Sequence, residues 1–130
     1  MHSIGSLAGL YWGYQVRKAE SIRTILENCP FHDDDQEAKY DMVIGTSERG
    51  TPHNELVGFR AFRHGLIVFG GLQGLEKAME REENGASADD LFDCYVNTCP
   101  KQGSRTIRTE EAILITLSCL RDKLLTAAIH

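Results

Sequence analysis

The stretch GLIVFGGLQGLE, residues 65–76, changes character twice along its length. Residues 65–69 are almost continuously apolar, which is typical of a strand covered on both faces within a parallel sheet. The strand runs into Gly70 and Gly71, and from there Leu72, Leu75, Ala78 and Met79 recur at helical spacing. The stretch therefore predicts a central strand at 65–69 followed by a helix at 72–82.

The segments on either side repeat this alternation of strand and helix. Residues 40–44 form a short β-prone run that enters Gly45, and residues 91–96 predict a third strand. Before them, apolar residues at about helical spacing predict a first helix over residues 10–28, with Asn28 and Pro30 as its stop. Strands that alternate with helices indicate an α/β fold with a mainly parallel sheet.

The last helix has the strongest end signals. Thr109 is the expected N-cap, acidic residues follow in the first turn, and Arg121 and Lys123 are expected in the last turn, as the helix dipole favours. Its apolar set is wider than one stripe, so we expect contacts on several sides of the helix. That set comprises Ile113, Leu114, Ile115, Leu117, Leu120 and Leu124.

Composition and charge narrow the function classes. The 130 residues suit one globular domain, and the net charge of −5 disfavours nonspecific attraction to RNA. Residues 97–108 are the exception, since this window carries +3 and no acid. No apolar run has the length of a membrane span, and no secretion signal or CxxC pair is present. We expect an intracellular protein, nuclear or cytoplasmic, that uses neither membrane nor metal.

Three glycine-bearing junctions follow the predicted strands. They are GTSERG at 45–50, FGGLQG at 69–74 and NTCPKQGSRT at 97–106. Ligands of open α/β sheets bind outside the carboxyl ends of the strands, and glycines there let the backbone approach a ligand closely. The alternative is that each junction is only a turn. None has the GxxxxGK[ST] or GxGxxG spacing, so the usual nucleotide-binding fingerprints are not met.

Two other features have structural and functional interpretations. His64 beside Arg63 could act as a general base, although a histidine at a strand entrance is more often structural. Cys94 and Cys99 could pair or bind a metal, but no histidine lies near them in the sequence, so packing is the preferred interpretation.

Several strings together resemble a known family. They are YWGYQVR (residues 11–17), DMVIGTSERG (41–50), FRHGLIVFGGLQGLE (62–76) and NTCPKQGSRTIRTEEAILITL (97–117). They closely resemble the RNA methyltransferases with a SPOUT domain, and the similarity spans nearly the whole chain. The resemblance implies a parallel α/β sheet with a C-terminal trefoil knot, a fold that packing rules alone would not suggest.

The family binds S-adenosylmethionine in its knot loops, and this pocket falls on the three junctions. Glycines of the second junction are expected to approach the cofactor with their backbone, and the third junction is expected to surround adenine and ribose. The cofactor-binding residues implied by the resemblance are Thr46, Arg49, Gly70, Gly71, Asn97, Thr98, Gln102, Gly103, Thr106 and Ile107.

The resemblance also suggests how the reaction would be assisted. Arg105 and Arg108 are the candidates for holding target phosphate or base, and Glu48 is the candidate proton acceptor. Each has an ordinary alternative, since Arg108 could pair with Glu111 at the helix start and Glu48 could cap a turn. The activity implied is methyl transfer to a nucleotide of a structured RNA.

This chain departs from the family in length. Family members carry one or more additional N-terminal strands and an OB-like RNA-binding module before the region that begins here near Gly9. We therefore expect residues 1–130 to form a partial SPOUT domain that binds RNA weakly through Lys101, Arg105 and Arg108. We also expect a homodimer built partly on the last helix. The alternative function is a non-catalytic fragment that retains the cofactor pocket or the dimer surface.

Overall fold

The structure is a computed structural model that describes residues 14–33, 36–37, 39–70, 74–80, 88–100 and 107–129. Within these ranges no helix combines the length and apolar character needed to cross a bilayer. In chain order the elements are α1 (Ile22–Glu27), β1 (His32–Asp33), β2 (Gln36–Glu37), β3 (Met42–Pro52), a 3-10 helix (His53–Glu55), β4 (Gly65–Val68), α2 (Gly74–Glu80), α3 (Ala88–Leu91), β5 (Cys94–Asn97) and α4 (Thr109–Ala127).

The main sheet has three parallel strands in the order β4-β3-β5. β1 and β2 form a separate antiparallel pair of two residues each. The predicted α/β class with a mainly parallel sheet is therefore confirmed. The predicted central position of residues 65–69 is wrong for the described sheet, because β4 lies at its edge and β3 lies in the middle. The order of strands follows from long-range pairing, which the apolar character of one strand does not determine.

β3 continues well past the expected end at Gly45. Both Thr46 and Thr51 pair with Val96 of β5, so the four residues between them bulge out of the ladder before pairing resumes. We call this segment the 47–50 bulge. The predicted junction GTSERG is therefore part of one long strand that the 47–50 bulge interrupts, rather than a loop after a strand, and it holds polar side chains beside the end of β5.

α1 is shorter than the sequence predicts. The described segment before it, residues 14–21, is not helical, and residues 10–13 lie outside the described ranges. Ser21 starts the helix because its hydroxyl accepts the backbone N–H of Thr24 at 3.1 Å. Asn28 ends it as predicted and donates its side-chain amide to the carbonyl of Thr24 at 2.7 Å.

α4 begins one residue away from the predicted cap. Arg108 is the N-cap, and its backbone N–H donates to the carboxylate of Glu111 at 3.1 Å. The helix continues to Ala127, so its last turn holds no basic residue and the expectation for Arg121 and Lys123 is wrong. After the helix, Ile129 N–H donates to the carbonyl of Phe62 at 2.8 Å, which ties the C-terminal segment to the chain before β4.

The entry to β5 also differs from the prediction. α3 extends to Leu91, and the strand begins only at Cys94. Asp93 marks the change, because its N–H donates to the carbonyl of Val43 and its carboxylate accepts the N–H of Val43, both at 2.8 Å. Two hydrogen bonds to one residue of β3 fix the register in which β5 starts.

Two apolar clusters cover the two faces of β3. Met42 and Ile44 pack with Val96 and with Leu120 of α4, whereas Val43 packs with residues of α1, α2 and β4. This alternation is what a strand requires when helices lie on both sides of its sheet. The second cluster consists of Ile22, Val43, Val68, Leu75 and Phe92.

Candidate active site at the carboxyl ends of the strands

Hydroxyl groups join the carboxyl ends of the three parallel strands to each other and to α4. Thr46 donates its hydroxyl to the carbonyl of Val68 at 2.9 Å, which links β3 to β4. Thr109 donates to the carbonyl of Gly70 at 3.2 Å, so the start of α4 lies against the end of β4. The hydroxyls of Thr98 and Thr116 are 2.8 Å apart, which fixes the end of β5 on the same helix. These contacts bring the predicted residues Thr46, Gly70 and Thr98 to one edge of the sheet.

Asn97, the last residue of β5, organises the neighbouring backbone with its side-chain amide. Its nitrogen donates to the carbonyl of Glu48 in the 47–50 bulge at 3.1 Å. Its oxygen accepts the N–H of Cys99 at 3.0 Å, which turns the chain directly after the strand. The amide thus connects the first and third predicted junctions.

A half-buried carboxylate lies next to the 47–50 bulge. Oε1 of Glu76 on α2 accepts the hydroxyl of Ser47 and the phenol of Tyr95, the latter at 2.6 Å. Burial alone would raise the pKa of Glu76, but the two hydroxyl donors and the nearby charge of Arg49 lower it overall. Burial and the hydrogen bond to Glu76 raise the pKa of Tyr95 to about 12. Glu76 is therefore a stable anion at neutral pH.

Three residues of this site were not predicted from the sequence: Glu76, Tyr95 and Thr116. Glu76 ends one of the family-like strings but reads as an ordinary helix residue, and Tyr95 lies in an apolar strand. Thr116 is completely buried although it is polar. A polar residue within the apolar pattern of the last helix was the available signal, because a buried hydroxyl requires a partner.

The remaining predicted site residues fall into two groups. Glu48 and Arg49 are exposed on the 47–50 bulge, Arg108 is exposed at the start of α4, and Ile107 beside it is half-buried. The structure thus places all four beside the strand ends. The predicted residues that lie outside the described ranges are Gly71, Gln102, Gly103, Arg105 and Thr106.

His64 does not belong to this site. The ring of His64 stacks on Phe31 with centroids 5.0 Å apart, and its carbonyl accepts the N–H of Asp41 at 3.0 Å. These contacts place His64 where β3 and β4 begin, at the opposite edge of the sheet. All four cysteines are free thiols, and the described residues include no cluster suited to a metal ion.

Comparison with known proteins identifies the family. The sequence profile of a family described as "Putative RNA methyltransferase" matches residues 3–120, which is most of the chain. The chain belongs to this family. It is 52% identical over 122 residues to a human protein named 28S rRNA (uridine-N(3))-methyltransferase, a match that covers 92% of this chain and 31% of the human protein.

Two further relatives carry the same name. The mouse protein is 54% identical over 119 residues, covering 90% of this chain and 29% of its own length. The Drosophila melanogaster protein is 52% identical over 120 residues, covering 89% of this chain and 24% of its own length. The chain therefore spans less than a third of the length of each of these relatives. The predicted resemblance to RNA methyltransferases is confirmed.

The raised pKa of Tyr95 predicts a specific loss of stability in alkali. A phenol whose pKa increases from 10.0 to about 12 on folding stabilises the fold fully below pH 10, and the stabilisation is lost as the pH rises through 12. We expect the difference in unfolding free energy between wild type and Tyr95→Phe to shrink between pH 10 and 12. Denaturant titrations at several pH values measure it, and a constant difference would contradict the assigned hydrogen bond.

Proposed function

We propose that this chain is the donor-binding part of an S-adenosylmethionine-dependent methyltransferase that methylates N3 of a uridine in ribosomal RNA. The observation that carries the proposal is the set of polar groups at three parallel strand ends, in a chain similar over about nine tenths of its length to proteins named for this reaction. The named activity favours an enzyme over the non-catalytic fragment. Ribosomal RNA as the substrate also agrees with action inside the cell.

The described residues suit an adenosyl ligand. The hydrogen bond of Thr109 holds Gly70 at the start of α4, beside Ile107, and Thr98 joins the end of β5 to Thr116 further along the same helix. This arrangement offers backbone carbonyls and amides together with a half-buried apolar side chain, which is the combination that purine and ribose require. We propose that these groups hold the cofactor, with Asn97 and Thr46 supporting their backbone.

Methyl transfer from a sulfonium requires little covalent participation by the protein. S-adenosylmethionine supplies an electrophilic methyl group, and correct placement of the uracil against it is worth about 7–11 kcal/mol of the barrier. When the new N–C bond forms, the bond between the methyl carbon and the sulfonium sulfur would break to leave S-adenosylhomocysteine, and the proton on N3 must pass to a base. Glu48 is the proposed acceptor because its carboxylate is exposed on the 47–50 bulge. Arg108, with Arg105 and Lys101, is proposed to hold RNA phosphates.

The proposal also includes the trefoil knot, the SPOUT fold, a homodimer and the assignment of residues 1–130 to part of the SPOUT domain. The trefoil knot and the SPOUT fold would involve the third junction, of which residues 101–106 lie outside the described ranges. A homodimer would cover the apolar side of α4 that this chain leaves exposed. Residues 1–130 would then correspond to part of the SPOUT domain, with most RNA affinity contributed by other segments of the longer relatives.

Cofactor binding provides the direct test. We expect the wild-type chain to bind S-adenosylmethionine in calorimetry and the Gly71→Val, Gly103→Val double variant to lose at least about tenfold in affinity, because branched side chains block close backbone approach. Gly58→Val is the matched control, since nothing lies within 4 Å of a Cβ built at Gly58. Equal binding by all three proteins would refute the pocket assignment.

Methyl transfer is tested separately. Ribosomal RNA is incubated with the chain and isotopically labelled S-adenosylmethionine, then digested to nucleosides for mass spectrometry. Label in 3-methyluridine supports the proposed reaction. Label in another nucleoside, or donor binding without any transfer, would refute N3 methylation by this chain.

A further inference from the structure

One carboxylate oxygen of Glu76 connects the 47–50 bulge, β5 and α2 at the edge of the sheet where the parallel strands end. Oε1 accepts the hydroxyl of Ser47 from the 47–50 bulge and the phenol of Tyr95 from β5. The carboxylate itself belongs to α2. A contact of this kind ties the bulge to the rigid sheet and to a helix at the same time.

The connection continues into the bulge. The oxygen of Ser47 that donates to Glu76 also accepts the backbone N–H of Arg49 at 3.1 Å. On the other side, Asn97 holds the carbonyl of Glu48. The backbone of Glu48 and Arg49 is therefore fixed from two directions, although both side chains are exposed.

Charge reinforces this geometry. Glu76 and Arg49 attract each other electrostatically, yet Arg49 forms no ion pair within 4.0 Å in the described part of the chain. Arg49 is exposed, so its guanidinium can reach a ligand while the anion of Glu76 stays beside it. An arginine in this situation suits an oxygen anion on a bound molecule.

We propose that Glu76 is a positioning residue that fixes the 47–50 bulge. It thereby sets the affinity for the methyl donor of the candidate site at the carboxyl ends of β3, β4 and β5. This second statement rests on the proposed function. Glu76 acts through Ser47 and Tyr95 and is not assigned a contact with the donor.

Amide hydrogen exchange tests the positioning role without any ligand. We expect Glu76→Ala to accelerate exchange in residues 47–50 by about tenfold or more, because hydrogen bonds to a charged group contribute more than neutral ones. Exchange in β4 should stay unchanged. Glu76→Gln keeps an oxygen that can accept both hydroxyls, so most protection should return, while the pKa of Tyr95 should fall below about 12 and remain raised by burial.

Glu80→Gln is the matched control. It removes the same charge from the same helix, but Glu80 is exposed and forms an ion pair with Lys77 at 3.3 Å. We expect no change in exchange at residues 47–50. If Glu76→Ala fails to fold, Tyr95→Phe removes the β5 side of the connection without removing the hydrogen bonds within the bulge, and it should accelerate exchange at residues 47–50.

Calorimetry with S-adenosylmethionine tests the functional half. We expect Glu76→Ala to raise the dissociation constant about tenfold, with Glu76→Gln and Glu80→Gln within about twofold of wild type. Faster exchange without loss of affinity would overturn the proposal, and so would unchanged exchange. A wild-type chain that binds no donor would instead refute the proposed function, and the exchange rates would still decide whether Glu76 positions the bulge.

Discussion

Replacing Gly50 with alanine should cost about 3 kcal/mol or more of folding free energy. A Cβ at this position would lie 2.7 Å from the backbone nitrogen and carbonyl carbon of Val96, and 2.8 Å from the carbonyl carbon of Tyr95. These are main-chain atoms of β5, so no side chain can rotate away to relieve the overlap. β3 and β5 would have to separate where pairing resumes after the 47–50 bulge.

Gly58→Ala is the control for this experiment. Nothing lies within 4 Å of its added methyl group, and the smaller conformational freedom of alanine in the unfolded chain should stabilise the protein by up to about 1 kcal/mol. Urea titrations of wild type and both variants give the free energies of unfolding. Similar stability of the Gly50 and Gly58 variants would show that β5 does not pass this close to Gly50.

The predictable part of the fold was the local alternation of strands and helices. Apolar runs entering glycine predicted β3 and β4, and the alternation of strands with helices predicted their parallel arrangement. The continuation of β3 through residues 47–50 was not predictable in this way. SERG has no strand pattern, and the strand resumes only because Thr51 and Pro52 find partners in Val96 and Asn97.

The residues of the candidate site likewise divide into those that the sequence predicted and those that it did not. Thr46, Asn97 and Thr98 were predicted because each follows an apolar run and the family strings include them. Glu76 was missed because its partners are 29 and 19 residues away in sequence. Only the packing of α2 against β3 and β5 brings them together. The first helix illustrates the opposite error, since helical spacing over residues 14–21 did not produce a helix.

The broad apolar set of α4 predicted burial on several sides, but in the described part of the chain some of these side chains are exposed. Leu120 is completely buried between α4 and the sheet, but Leu114 is 72% exposed and Leu125 is 51% exposed. Residues 114 and 125 are eleven apart, which is close to three helical turns, so they share one face. That face lies away from the core.

Leu120→Ala and Leu114→Ala should therefore separate folding from association. Removing the buried side chain leaves a cavity beside Met42 and Val96 and should cost about 2–5 kcal/mol. Leu114→Ala should change the stability of the monomer by less than about 0.5 kcal/mol, because most of its side chain is already in water.

The same pair tests the proposed homodimer. If a second chain covers the exposed face of α4, Leu114→Ala should weaken self-association in light scattering across a dilution series, while urea titrations at low protein concentration show no loss. Leu120→Ala should lower the unfolding free energy at every concentration. A wild-type chain that stays monomeric at all concentrations would contradict the dimer. It would also show that the exposed leucines of α4 do not mediate self-association. Equal destabilisation by both substitutions would instead place Leu114 in the core, because only a buried leucine loses this much on truncation.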